Sequence, residues 1–91
     1  MTVHTMAHSE KEDFGDLPIN EIFHAYPEGI SYFVYAGGQV FDADITPAGE
    51  SNARLVVRDN QRQNHGAVVV QNTLTLDELD ETAQFFADSW V

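Results

Sequence analysis

An α+β fold, a four-stranded antiparallel meander with a short N-terminal helix and a C-terminal amphipathic helix, is predicted by three features of this 91-residue sequence. Two β-branched and aromatic runs flank Gly37-Gly38. A capping-box pair opens an apolar stripe of helical period near the C-terminus. Every link between the central strands is short, which favours antiparallel neighbours and helices gathered on one face. The element order reads α-β-β-β-β-α.

Residues 1–15 (MTVHTMAHSEKEDFG) show no sustained period and read as a flexible, acidic tail, leaving 16–91 as one α+β domain. Asp16-Leu17-Pro18 is a helix-start signal, with Asp16 as N-cap and Pro18 in the first turn. Ile19, Ile22, Phe23 and Tyr26 then share one helical face, and Pro27 and Gly29 end the element, so a helix is expected over about 17–25.

The runs ISYFVYA (30–36) and QVFDADI (39–45) read as strands joined by a two-residue hairpin turn, because Gly-Gly supplies positive φ at both central positions. A two-residue loop also sets the register. Tyr35 then pairs with Val40, Val34 with Phe41, Phe33 with Asp42, Tyr32 with Ala43, Ser31 with Asp44 and Ile30 with Ile45. One face becomes Ile30, Tyr32, Val34, Phe41, Ala43 and Ile45, without a charge; turn chemistry and alternation agree.

After the turn-rich segment 46–52, residues 53–59 alternate apolar Ala53, Leu55 and Val57 with Arg54, Val56 and Arg58. Aligning the apolar sets places Arg54 opposite Asp44, with Arg58 near Val40 and diagonal to Asp42. A polar loop (60–66) leads to a fourth strand over 67–73, whose three valines leave its facing ambiguous. Thr75 and Glu78 form the capping box of a helix over about 76–89, with Leu74 and Leu79 as a staple. Leu76, Leu79, Ala83, Phe86 and Trp90 make its apolar stripe.

Fifteen acids against four bases give a net charge of −11, and the acid lies at both ends of the chain. Such a field repels nucleic acid and anionic membrane and attracts basic surfaces. No cysteine is present, so disulfides, thiolate metal sites and cysteine nucleophiles are excluded. No segment approaches the ~20 apolar residues of a membrane span, and a cytoplasmic setting is expected.

No catalytic signature stands out, and no cofactor is expected. Asp42 and Asp44 share a strand face and are a candidate acid–base or cation pair. The simpler reading is neutralisation by Arg54 and Arg58, at about 0.2–1 kcal/mol per pair, and hard cations want more oxygen ligands than two. His4 and His8 lack a third ligand, and zinc ordinarily takes three or four. His24 and His65 have no activating partner in sequence and read as surface histidines.

Two features remain. Phe33 and Tyr35 fall on the sheet face expected to meet water, beside Val40, Asp42 and Asp44, where aromatics rimmed by charge suit a protein interface; the alternative is cover by the N-terminal segment or by a partner copy in a homodimer. Asp77, Glu78, Asp80, Glu81 and Asp88 form an acidic helix with no intervening base, suited to docking on a Lys/Arg-rich groove. These residues point to a non-enzymatic binding protein that occludes a basic surface of a protein partner, such as that of a nucleic-acid-binding protein. Toxin-immunity proteins, nuclease inhibitors and phage-encoded antagonists that mimic DNA are analogous in general shape and charge alone. Two other readings compete: adaptation to high salt, which one lysine favours and uneven charge disfavours, and a small metal-binding or enzymatic module using Asp42 and Asp44.

Overall fold

Gly37 and Gly38 both adopt positive φ (56° and 76°) and close the tight hairpin between β2 (Ile30–Ala36) and β3 (Gln39–Pro47). Its register is the one the two-residue turn dictates, from Tyr35 opposite Val40 to Ile30 opposite Ile45. A computed structural model of the chain describes residues 3–90. Antiparallel β4 (Asn52–Asp59) and β5 (Asn64–Gln71) continue the meander.

The α+β class is as expected, but the sheet is larger and mixed. A fifth strand, β1 (His4–Thr5), lies parallel to β2 at the edge, giving the order β1-β2-β3-β4-β5. The His4 N–H donates to the Gly29 carbonyl (3.0 Å) and the Met6 N–H to the Ser31 carbonyl (2.8 Å). Met6 is thereby drawn into the core. Helix α1 (His8–Phe14) follows at once. The stretch expected to be a flexible tail thus carries β1 and α1; its first two residues lie outside the described range.

Helix α2 (Ile19–Ala25) starts later than its sequence signal suggests. Pro18, not Asp16, is the N-cap, and no side chain caps this end. The first N–H groups are met instead by backbone, Ile19 N–H donating to the Leu74 carbonyl (2.8 Å) and Asn20 N–H to the Asn72 carbonyl (2.9 Å). Helix α3 (Leu76–Asp88) opens on the expected capping box, with the Glu78 N–H donating to Thr75 Oγ1 (3.2 Å) and the Thr75 N–H to Glu78 Oε1 (3.1 Å).

The core lies between the helices and one sheet face. It joins Ile30, Tyr32, Val34, Phe41, Ala43, Ile45, Ala53, Leu55 and Val57 to Ile19 and Ile22 of α2 and Leu76, Leu79, Ala83 and Ala87 of α3. Trp90 departs from the expected stripe. The helix ends at Asp88, and Trp90 turns to the surface, where its ring packs edge-on against His65 (4.2 Å). Ala87 takes the buried position at the end of the helix.

Candidate functional site

The structure divides the candidate binding residues between two sides of the sheet. Phe33, Tyr35, Asp42 and Asp44 project from the face opposite the core, over which no helix packs among the described residues. Asp77, Glu78, Asp80, Glu81 and Asp88 lie on α3, across the sheet. Gln84 of α3 links them at one end, its Nε2 donating to the Tyr35 carbonyl (2.9 Å) and to Asp88 Oδ1 (3.0 Å).

On the open face, Phe33 and Tyr35 are 54% and 67% exposed. The register beyond β3 differs from the expectation by two residues. Asp42 stands opposite Arg58, Asp44 opposite Val56 and Thr46 opposite Arg54. Arg54 therefore does not meet Asp44; Arg58 does, diagonally, with Nη1 3.0 Å from Asp44 Oδ2. The physical reason is that shifting an alternating strand by two residues keeps every side chain on its own face. The apolar pattern is blind to that shift, and only the 48–51 loop closure selects the register.

Burial holds the Asp44 carboxyl above the ordinary aspartate range, with Asp42 adding repulsion, although Arg58 and Arg62 pull the other way. Arg62 reaches this region from the β4–β5 turn, where its φ is 67°. Together with Val3, Thr5, Ser31, Phe33 and both aspartates it lines a shallow cleft of about 500 Å³. Arg54 and Arg58 thus share the open face with Asp42 and Asp44, and Arg62 reaches its rim.

The helical side is the reverse. Its one lysine, Lys11 of α1, is spent on Asp80, with Nζ 2.8 Å from Oδ2. The Tyr32 hydroxyl donates to the other oxygen of the same carboxylate (3.0 Å). Burial, followed by the nearby Asp80 charge, raises the Tyr32 hydroxyl well above its ordinary range, so it stays a donor. Asp80, expected among the partner-binding acids, is therefore also a structural acceptor that ties α1 and β2 to α3. Replacing Asp80 with alanine leaves the partly buried ammonium and the buried phenol without this acceptor. The expected cost is about 2 kcal/mol, read by urea denaturation, and a loss below about 0.5 kcal/mol would show the contact to be idle.

The remaining acids of α3 differ in freedom. Glu78 is engaged in its capping box, and the Asp77 side chain lies against Gly15. Asp88 accepts from Gln84 Nε2 (3.0 Å), and Glu81 projects freely. None of the four makes an ion pair among the described residues.

His65, expected at the surface, has a side chain only 6% exposed. Its Nε2 lies 2.8 Å from Asp59 Oδ2, and its ring is held edge-on between Phe41 (5.4 Å) and Trp90 (4.2 Å). The hydrogen bond from His65, aided by the Gln63 and Gln61 N–H groups, lowers the Asp59 carboxyl below its usual range. His65 Nδ1 is buried with no hydrogen-bond partner among the described residues, and the pair packs the β4–β5 turn. The two amino-terminal histidines also have contacts. His4 stacks on Tyr26 (4.1 Å) and contacts Glu10 (2.9 Å), and His8 contacts Glu12 (2.9 Å). No cluster of three metal-ligating side chains occurs among the described residues. Among them, too, no helix is long and apolar enough to cross a membrane.

In comparisons with known proteins, no family model, no curated protein and no solved structure matches the chain.

Proposed function

We propose that this chain is a non-enzymatic acidic binding protein whose helical side occludes a basic surface of a protein partner, in the manner of an inhibitor or a DNA-mimicking antagonist. One observation carries the reading: charge is segregated across the sheet. The three arginines gather on the open face and its rim. The chain's one lysine pairs with Asp80, and Asp77, Glu78, Glu81 and Asp88 have no cationic partner among the described residues. A field of one sign over one side accelerates encounter with a basic partner and orients it.

Glu81 and Asp88 contribute most to this surface because neither supports the fold through a cap or an ion pair. Asp77 and Glu78 add to the field while holding the start of the helix. Asp42 and Asp44, with the anchors Phe33 and Tyr35, lie on the other face of the sheet.

The test is capture of basic proteins by the wild-type chain, with each association followed as salt is raised. The Glu78→Gln/Glu81→Lys/Asp88→Lys variant keeps a capping side chain at position 78 and leaves Asp80 in place. It is expected to lower the association rate for a captured basic protein by at least about tenfold, since steering of this kind is worth about 10–1,000-fold at low salt. Added salt should erase the difference. Binding unchanged by the triple substitution, or insensitive to salt, would remove the acidic surface from the mechanism. A salt-adapted domain predicts instead that the wild type unfolds as salt is withdrawn.

A further inference from the structure

The free edge of the sheet at β5 is independent of the acidic helix. The Asn72 N–H donates to the Ser51 carbonyl (3.0 Å), which marks 51/72 as a hydrogen-bonded pair. In the register Asn52 opposite Gln71 and Ala53 opposite Val70, such pairs alternate, so Val70, Val68 and Gly66 turn their backbone toward β4. Ala67, Val69 and Gln71 turn theirs outward, where the sheet has no further strand among the described residues. The Gln71 carbonyl accepts weakly from the Leu74 N–H (3.4 Å). No hydrogen bond within the described residues reaches the N–H groups of Ala67, Val69 and Gln71 or the carbonyls of Ala67 and Val69.

Natural edges are blunted by lysine, proline, a bulge or a covering element. From Asn64 to Leu76 there is no charged residue and no proline. The one irregularity sits at Val57/Arg58, opposite the start of β5, and leaves Ala67 to Gln71 regular. Val69 is 51% exposed on the open face, and Val68 and Val70 are only partly covered on the helical face. Phe86 lies against Gly66, beside the exposed Phe85 of α3. A strip of backbone donors and acceptors thus runs between apolar side chains on both faces.

We infer that this edge pairs with β5 of a second copy of the chain, antiparallel about a two-fold axis, joining two five-stranded sheets into one of ten strands. Charge selects the occupant. A basic partner gains nothing from an uncharged edge, whereas a copy carrying −11 is repelled least where neither molecule bears charge. Symmetry agrees, because a strand paired antiparallel with itself is self-complementary. With the axis at Val69, its N–H and carbonyl meet those of the copy's Val69. Ala67 then pairs with the copy's Gln71, and Val68 stands beside the copy's Val70 on the helical face.

The backbone alternation supplies a specific test. Val69→Pro removes an outward N–H and no bond of the β4–β5 ladder, so the fold is kept while the pairing is lost. Sedimentation equilibrium of the full chain should give twice the monomer mass of 10.2 kDa for the wild type and the monomer mass for Val69→Pro, with far-UV circular dichroism unchanged. Val69→Lys, which leaves the backbone intact, should also be monomeric and decides the matter if the proline variant unfolds. Added salt should preserve or tighten the dimer, opposite to its effect on a basic partner. A monomeric wild type throughout the micromolar range overturns the inference, as does a dimer that survives both substitutions. A dimer lost instead in Phe33→Ser/Tyr35→Ser would place the contact on the open sheet face and overturn it too.

Discussion

Phe41→Ala is expected to destabilise the protein by about 3–5 kcal/mol, the cost of emptying a fully buried aromatic site. Phe41 is the largest side chain buried to this degree, 1% exposed, on the middle of the core face of β3. The hole it leaves is hard to close. Its floor is hydrogen-bonded sheet, and the alanines of the same cluster, Ala43, Ala83 and Ala87, are too short to swing into it. The substitution also strips the edge-on aromatic partner from His65, whose other neighbour is Trp90. Against the roughly 5–15 kcal/mol that holds a typical domain together, this loss takes a large share. Urea denaturation measures it directly, with Phe41→Leu as a milder control at about 1 kcal/mol. A loss near 1 kcal/mol for the alanine variant would show that the core collapses onto the site.

Gly29→Ala should cost about 3 kcal/mol or more, combining a backbone conformation that side chains resist with a direct collision. Gly29 has φ of 107°, and a Cβ there would land on the Ile45 carbonyl oxygen and press against Thr46. Neither obstacle is the flexible end of a side chain, so the backbone of β2 or β3 has to move. The same residue accepts the His4 N–H (3.0 Å) and donates to the Tyr26 carbonyl (3.0 Å), so its displacement also loosens β1 and the end of α2. Gly49 separates the two causes. Its φ is 94°, with open space where the Cβ would lie, so Gly49→Ala should show strain alone, about 1–2 kcal/mol. Equal losses at both positions would assign the whole effect to backbone conformation.

Where a local rule carries the information, sequence reading reached atomic detail. The β2–β3 register followed from Gly37-Gly38, because a two-residue turn leaves the strands one way to pair. The start of α3 followed from Thr75 and Glu78, which satisfy each other's neighbouring N–H groups. The β3–β4 register did not follow, since alternation looks the same after a two-residue slip. Strand β1 is two residues long and α1 buries none of its own residues, so neither carries a period to detect. Both are held by distant partners, Gly29 and Ser31 for the strand and Asp80 for Lys11.

The candidate surfaces divide along the same line. Composition sets the −11 charge and alternation sets Phe33 and Tyr35 on the open face. Asp80 had a detectable signal, since it follows Leu79 and precedes Ala83 by three, at the border of the buried stripe. What it meets there is Lys11, 69 residues earlier, and local spacing contains no record of such a contact. The burial of His65 is likewise decided by Phe41 and Trp90 closing on it from distant parts of the chain. By itself the sequence determined the fold class, the central hairpin, the last helix and the sign of the surface charge, all products of nearest-neighbour geometry and composition. Only the tertiary structure decided which carboxylates are spent inside the fold, where the arginines gather and which strand edge stays bare, because each depends on residues that meet only once the chain has packed.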